Sequence, residues 1–209
     1  MTNDLYLVRH GQTLFNRKKM ISGWTDSPLT ELGLEQARRA GAFLRHRGLV
    51  FDHAYTSTLT RTHVTIQAVM PGIEFEQRAG IREWFFGEYE GERISLMPQR
   101  PWGDYFAHFG GESQQEVRDR MMATLSEAME VPASGCVLAV SHGSAIKEFH
   151  DAVLGDAADL LKPVPGNAST MHFTYKDGVF TLQEIFTQED YARELSHFRC
   201  DCGALSGKK

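Results

Sequence analysis

The chain has 209 residues, 42% hydrophobic and 23% charged, with 22 Lys and Arg against 27 Asp and Glu for a net charge of −5. That composition excludes disordered, collagen-like and low-complexity classes. The acidic balance lacks the basic footprint of a nucleic-acid binder, and no apolar run reaches the roughly 18 residues of a membrane span.

The length predicts one domain over 1–209. The polar start Met1-Thr2-Asn3-Asp4 is unlike a secretory leader, so a cytoplasmic protein is expected. Three cysteines, Cys136, Cys200 and Cys202, are too few and too odd in number for a disulfide scaffold. Cys200 and Cys202, with His197 nearby, lack zinc-site spacing and read as a polar tail.

Leu5-Tyr6-Leu7-Val8 predicts a buried strand that runs into Arg9-His10-Gly11. Leu29 to Arg47 has helical apolar spacing, with Thr30 as N-cap and Gly48 as the stop. Phe51 to Thr56 predicts a second strand, and Ser57 to Met70 a helix ended by Pro71-Gly72. Residues 84–112 hold eight aromatics among Gly and Pro without a period, which predicts a loop-rich insertion over the sheet. Ser113 and Glu116 form a capping box ahead of a helix with Val117, Met121, Leu125 and Met129 on one face. Cys136 to Val140 predicts a third buried strand, followed by Ser141-His142-Gly143 and a helix to Leu154. Residues 169–175 and 178–186 predict a hairpin about Asp177-Gly178, and 188–198 a last helix.

Short apolar strands alternating with amphipathic helices predict a three-layer α/β/α sandwich with a mostly parallel sheet. Sites in such folds lie beyond the carboxyl ends of the strands. Three strand ends carry unusual polar residues: Arg9-His10, Ser57 with Arg61, and Ser141-His142. If the strands are neighbours, two histidines and two arginines converge. Guanidinium groups fork onto oxygen pairs and suit phosphate, and a protonated histidine would add charge. Ser57 and Ser141 each precede a predicted helix start, where free amides favour anions. An unprotonated imidazole nitrogen set against that phosphate can attack it. Glu83 is the candidate proton donor for the leaving alcohol. Glu88 and Glu90 read as solvated loop charges, and Arg17-Lys18-Lys19 as a solvated run.

Leu7 to Thr13 with Asn16, then 22–30, Gly33-x-x-Gln36-Ala37, 56–62, Glu83 with 86–91, 110–113 and 140–143 form an ordered set across most of residues 5–145. The set resembles the signature of the histidine phosphatase superfamily, in its phosphoglycerate-mutase-like branch. The resemblance implies that His10 is the phosphorylated nucleophile. It implies that Arg9, Arg61 and His142 clamp the phosphate and that Glu83 is acid, then base. Asn16 and the Gly143 amide are implied as further phosphate ligands, with Gln12, Thr13, Ser22 and Gly23 around them. It also implies that no metal or other cofactor is needed. Thr62 departs from the pattern, which usually has Ala there.

Two arginines in the cover, Arg93 and Arg100, oppose five acids (Glu88, Glu90, Glu92, Asp104, Glu112), a balance of −3. A mutase must grip a second anion, so this balance favours a phosphomonoesterase acting on a small phosphorylated metabolite. Phosphoglycerate-mutase-type transfer and a non-catalytic phospho-ligand-binding module are the alternatives. The cover aromatics are read equally as core or as a wall for the alcohol half of the substrate. Apolar residues in the cover or the hairpin could make a homodimer.

Overall fold

The computed structural model describes residues 2–158 and 165–201. Cys202 and the side chains of His197 and Cys200, and with them the expected polar tail, lie outside the described residues.

Six strands form one sheet: β1 (Asn3–Arg9), β2 (His53–Thr56), β3 (Glu76–Gln77), β4 (Cys136–Ser141), β5 (Thr170–Lys176) and β6 (Val179–Phe186). Their order is β3-β2-β4-β1-β5-β6. The four strands β3, β2, β4 and β1 are parallel, while β5 and β6 add an antiparallel edge. The helices are α1 (Leu14–Lys18), α2 (Glu31–His46), α3 (Thr60–Val69), α4 (Gln114–Glu130), α5 (Gly143–Leu154) and α6 (Gln188–Asp201).

The central strands are buried on both faces, and their alternate side chains feed two separate cores. Leu5, Leu7, Val137 and Ala139 join the core under α4 and α5. Tyr6, Val8, Leu138 and Val140 join the core under α2 and α3, which Tyr191 of α6 completes. Three layers result, as the sequence pattern predicts.

Local chemistry sets the helix ends. Thr30 accepts the Gly33 amide at 3.0 Å and opens α2. Gly48, at φ +70, lies just past its end in the left-handed region that glycine favours. Ser113 and Glu116 bond reciprocally and open α4. Helix α3 begins at Thr60 rather than Ser57, because Ser57 Oγ accepts the Leu59 amide and holds a turn there. Two short elements carry no sequence signal: α1 buries no residue, and both residues of β3 are exposed.

The cover between 84 and 112 consists of short 3₁₀ turns at Gly87–Tyr89, Ile94–Leu96 and Phe106–Phe109. Backbone bonds tie it to the loop after α1: Ile21 N to Glu92 O, Gly91 N to Ile21 O and Ile94 N to Lys19 O, at 2.7–3.1 Å. Among the described residues, no helix is long and apolar enough to cross a membrane.

Candidate active site

Strand β4 lies between β1 and β2, so their carboxyl ends meet on one edge of the sheet. Arg9 is level with Ser141 and Thr56 with Val140. The His10 amide donates to the Ser141 carbonyl at 3.0 Å, which joins the two strand exits. The rings of His10 and His142 lie 5.2 Å apart, inclined at 61°.

His10 is fixed as a base. Its Nδ1 lies 2.8 Å from the Gly11 carbonyl, an acceptor only, so Nδ1 carries the proton and Nε2 keeps its lone pair. Burial, with Arg61 and Arg9 nearby, holds its pKa well below the ordinary histidine value. The backbone that carries it is held from several sides. The Gly11 amide donates to Thr65 Oγ1 at 3.1 Å, and the His10 carbonyl accepts Asn167 Nδ2 and the Ala168 amide at 3.2 Å. Gly11 packs directly on Gly33 of α2, so a Cβ on Gly11 would run into the helix backbone and one on Gly33 into the backbone of Gln12.

A cavity of about 240 Å³ opens beside His10. Arg9, Asn16, Ser22, Glu83, Gly143 and Ser144 also line it. Arg9 donates through Nη1 to the Pro165 carbonyl, and its guanidinium lies flat against Gly143, where a Cβ would stand 3.0 Å from Cζ. Asn16 Oδ1 accepts the Thr13 amide at 3.0 Å and Asn167 Nδ2 at 3.1 Å. That orients the amide and leaves its NH₂ group as the donor for a ligand. Glu83 accepts three amides: Trp84 at 2.9 Å, Ala145 at 2.8 Å and Ser144 at 3.1 Å. It therefore caps the start of α5, whose N-cap residue His142 makes no side-chain cap bond.

Arg61 and His142 stand one layer behind this wall. All five N–H groups of Arg61 are paired: Nε with His142 Nδ1, Nη1 with Asp26 and the Thr25 carbonyl, and Nη2 with the Ser22 and Gly23 carbonyls. His142 is fully buried, and its other nitrogen lies 2.8 Å from Ser57 Oγ. Burial and Arg61 hold its pKa far below the ordinary value. Without a bound anion the His142 ring is thus neutral, accepting at Nδ1 from Arg61.

Gln12 and Thr13 shape the loop rather than line the cavity. The Gln12 amide is bound by Gln36, and Thr13 caps α1. Gly23 is buried where a Cβ would strike Glu90. The start of α3 is also unavailable to an anion, because Asp26 takes the Thr60 amide at 2.6 Å. Glu90 is not a solvated charge. Its carboxylate accepts the amides of Gly23, Trp24, Thr25 and Phe86. Arg17, Lys18 and Lys19 are exposed, as expected. Among the described residues, no group of three His, Cys, Asp or Glu is arranged to ligate a metal.

Residues 5–188 match the model of the histidine phosphatase superfamily (branch 1). The chain belongs to that superfamily. Over 166 residues it is 33% identical to a 2,3-bisphosphoglycerate-dependent phosphoglycerate mutase of Parvibaculum lavamentivorans, covering 71% of this chain and 79% of the relative. It is similar in structure to a phosphoglycerate mutase of Bacillus anthracis, with TM-score 0.79 and 27% identity over 92% of this chain and 96% of that one. It is also similar to a phosphoserine phosphatase of Entamoeba histolytica, solved with 3-phosphoglyceric acid, with TM-score 0.76 and 25% identity over 90% and 99% of the two chains. The named relatives thus include both mutases and phosphatases.

Two residues of this superfamily member gave no sign in the sequence. Arg120 of α4 donates to the carbonyls of Gly80, Arg82 and Glu83 at 2.7–2.9 Å and pairs with Glu112, so it staples the irregular segment that carries Glu83. Asn167 orients Asn16 from a loop 151 residues away. A lone Arg on a helix and an Asn after a Gly gave no signal that could have singled them out.

Proposed function

We propose that this chain hydrolyses phosphomonoesters through a phosphohistidine at His10. The observation that carries the reading is the unprotonated Nε2 of His10 beside a cavity lined by Arg9, Asn16, Gly143 and Glu83. The Nε2 lone pair forms the N–P bond while the ester P–O bond breaks. The leaving oxygen takes its proton from Glu83 in its acid form. Water then attacks phosphorus, Glu83 takes a proton from that water, and the N–P electrons return to His10. Arg9, the Asn16 amide and the Gly143 N–H contact the transferring oxygens. Arg61 and His142 act from behind, and the Arg61 charge offsets the dianion through space.

The opposite wall speaks to the alcohol. Met20, Ile21, Phe86, Ile94, Met97 and Trp102 line it, with Arg100 as its one cation among the described residues. Arg100 is already paired with buried Glu148 at 2.8 Å. Such a wall suits the apolar alcohol half of a small phosphorylated metabolite better than a second phosphate. The mutase names of the curated relatives favour a second reading, phosphoryl transfer between hydroxyls of a phosphoglycerate. Phosphate release across a panel of esters, with 3-phosphoglycerate isomerisation measured alongside, separates the two. Isomerisation outpacing hydrolysis would replace the first reading with the second, and no turnover at all would leave a phospho-ligand-binding module.

A further inference from the structure

We propose that Thr62 is a positioning residue for the reaction at His10: its hydroxyl completes a hydrogen-bond chain that decides which nitrogen of His142 carries the proton, and so where the Arg61 guanidinium stands. The proposal rests on the reading of His10 as the nucleophile.

Four buried side chains take part, each 1% exposed or less. Arg61 Nε can only donate, so His142 Nδ1, at 3.1 Å, must accept. The neutral ring then carries its proton on Nε2 and gives it to Ser57 Oγ at 2.8 Å. Ser57 Oγ also accepts the Leu59 amide at 3.2 Å, which uses its second lone pair. Its own proton therefore goes to Thr62 Oγ1 at 3.0 Å. Thr62 in turn donates to the Leu59 carbonyl at 2.7 Å. Only one direction of donation satisfies every member.

Without the Thr62 hydroxyl, the Ser57 proton loses its acceptor. It can turn to His142 Nε2, but the ring proton must then sit on Nδ1 and face the Arg61 N–H. Two donors would oppose each other where no water can intervene, and a buried donor left unpaired is costly. Either Arg61 moves or the ring does, and that ring is the one beside His10.

The test compares Thr62→Val, which keeps the branched shape, with Thr62→Ser, which keeps the hydroxyl. Two quantities are read: kcat and KM for p-nitrophenyl phosphate, and the ¹⁵N shifts of the His142 ring, assigned by their loss in His142→Gln. The wild type and Thr62→Ser should show the Nε2–H form. Thr62→Val should show Nδ1–H or a mixture, with kcat about tenfold lower, the scale of one buried hydrogen bond, and KM changed much less. If Thr62→Val does not fold, Thr62→Ala is measured in its place. An unaltered His142 signature in the variant lacking the hydroxyl, or failure of Thr62→Ser to restore kcat, overturns the proposal. A wild type without turnover would instead remove the phosphatase reading, while the ring shifts would still report the hydrogen-bond chain.

Discussion

The two walls of the cavity are built differently. The floor, at the ends of β1 and β4, is held by directional bonds: Glu83 takes three amides, and Arg61 has all five donors paired. The inside of the cover is held by aromatic packing, while backbone bonds and Glu90 tie its edge to the loop after α1. Phe106 sits edge-on to Trp84, Phe86, Tyr89, Trp102 and Tyr105, with centroids 4.9–6.1 Å apart. Directional bonds place atoms to fractions of an ångström, as bond-making requires. Packing tolerates volume-conserving exchange, as specificity for different alcohols requires. Floor substitutions should therefore move kcat, and cover substitutions should move KM and stability.

The sharpest break of that contrast is His10→Ala. Turnover should fall about 10⁴-fold or more, while calorimetry finds inorganic phosphate still bound. Retained turnover would remove His10 as nucleophile. Next in size is Phe106→Ala in the cover, which should cost about 3–5 kcal/mol in denaturant unfolding, with kcat of the folded fraction nearly unchanged. A large fall in kcat at full folding would erase the distinction between the walls.

Glu83→Gln should slow alkyl phosphates about 10²–10³-fold, and aryl phosphates far less, because a good leaving group needs no proton. It should also lower stability by about 1–3 kcal/mol, since the new NH₂ faces an amide donor at the start of α5. Equal losses for both ester types would argue against Glu83 as the acid.

A pH series sharpens the floor further. His10 and His142 both have folded pKa values below the unfolded value of about 6.5. Below that pH the unfolded chain binds more protons than the folded one. The stability they contribute is thus complete above about 6.5 and is lost as pH falls toward the folded values, at about 1.4 kcal/mol per pH unit for each ring. Urea midpoints at pH 7.5, 6.5 and 5.5 should fall in that order. His142→Gln should halve the slope, and a flat series would contradict neutral burial of the rings. The smallest effect is expected at Ile94, half-exposed at the cavity mouth. Ile94→Ser should raise KM for apolar esters about threefold and leave stability within about 0.5 kcal/mol.

Much of this was legible in the sequence, for physical reasons. The continuous apolar runs Leu5-Tyr6-Leu7-Val8 and Val137 to Val140 marked buried strands, and the caps at Thr30 and Ser113 marked helix starts to the residue. The convergence of Arg9, His10, Ser57 and His142 followed from the rule about strand ends. Partners across the chain were not legible. Glu90 looked like a loop charge because its four amide donors come from two separate segments. The cover aromatics could not be sorted by pattern: Trp84 and Phe106 are core, whereas Phe86 and Trp102 pack in that core and also face the cavity. Nor could the sequence reveal that Arg61 is consumed by loop carbonyls in the free protein.

The back-to-back contact of Gly11 with Gly33 carries a consequence for genetics. One added methyl group at either position must push the His10 loop away from α2, although neither residue reaches the cavity. In a saturation screen scored on activity, both sites should look as intolerant as His10 itself, and a map of such intolerance would draw the active centre one helix wider than the cavity extends.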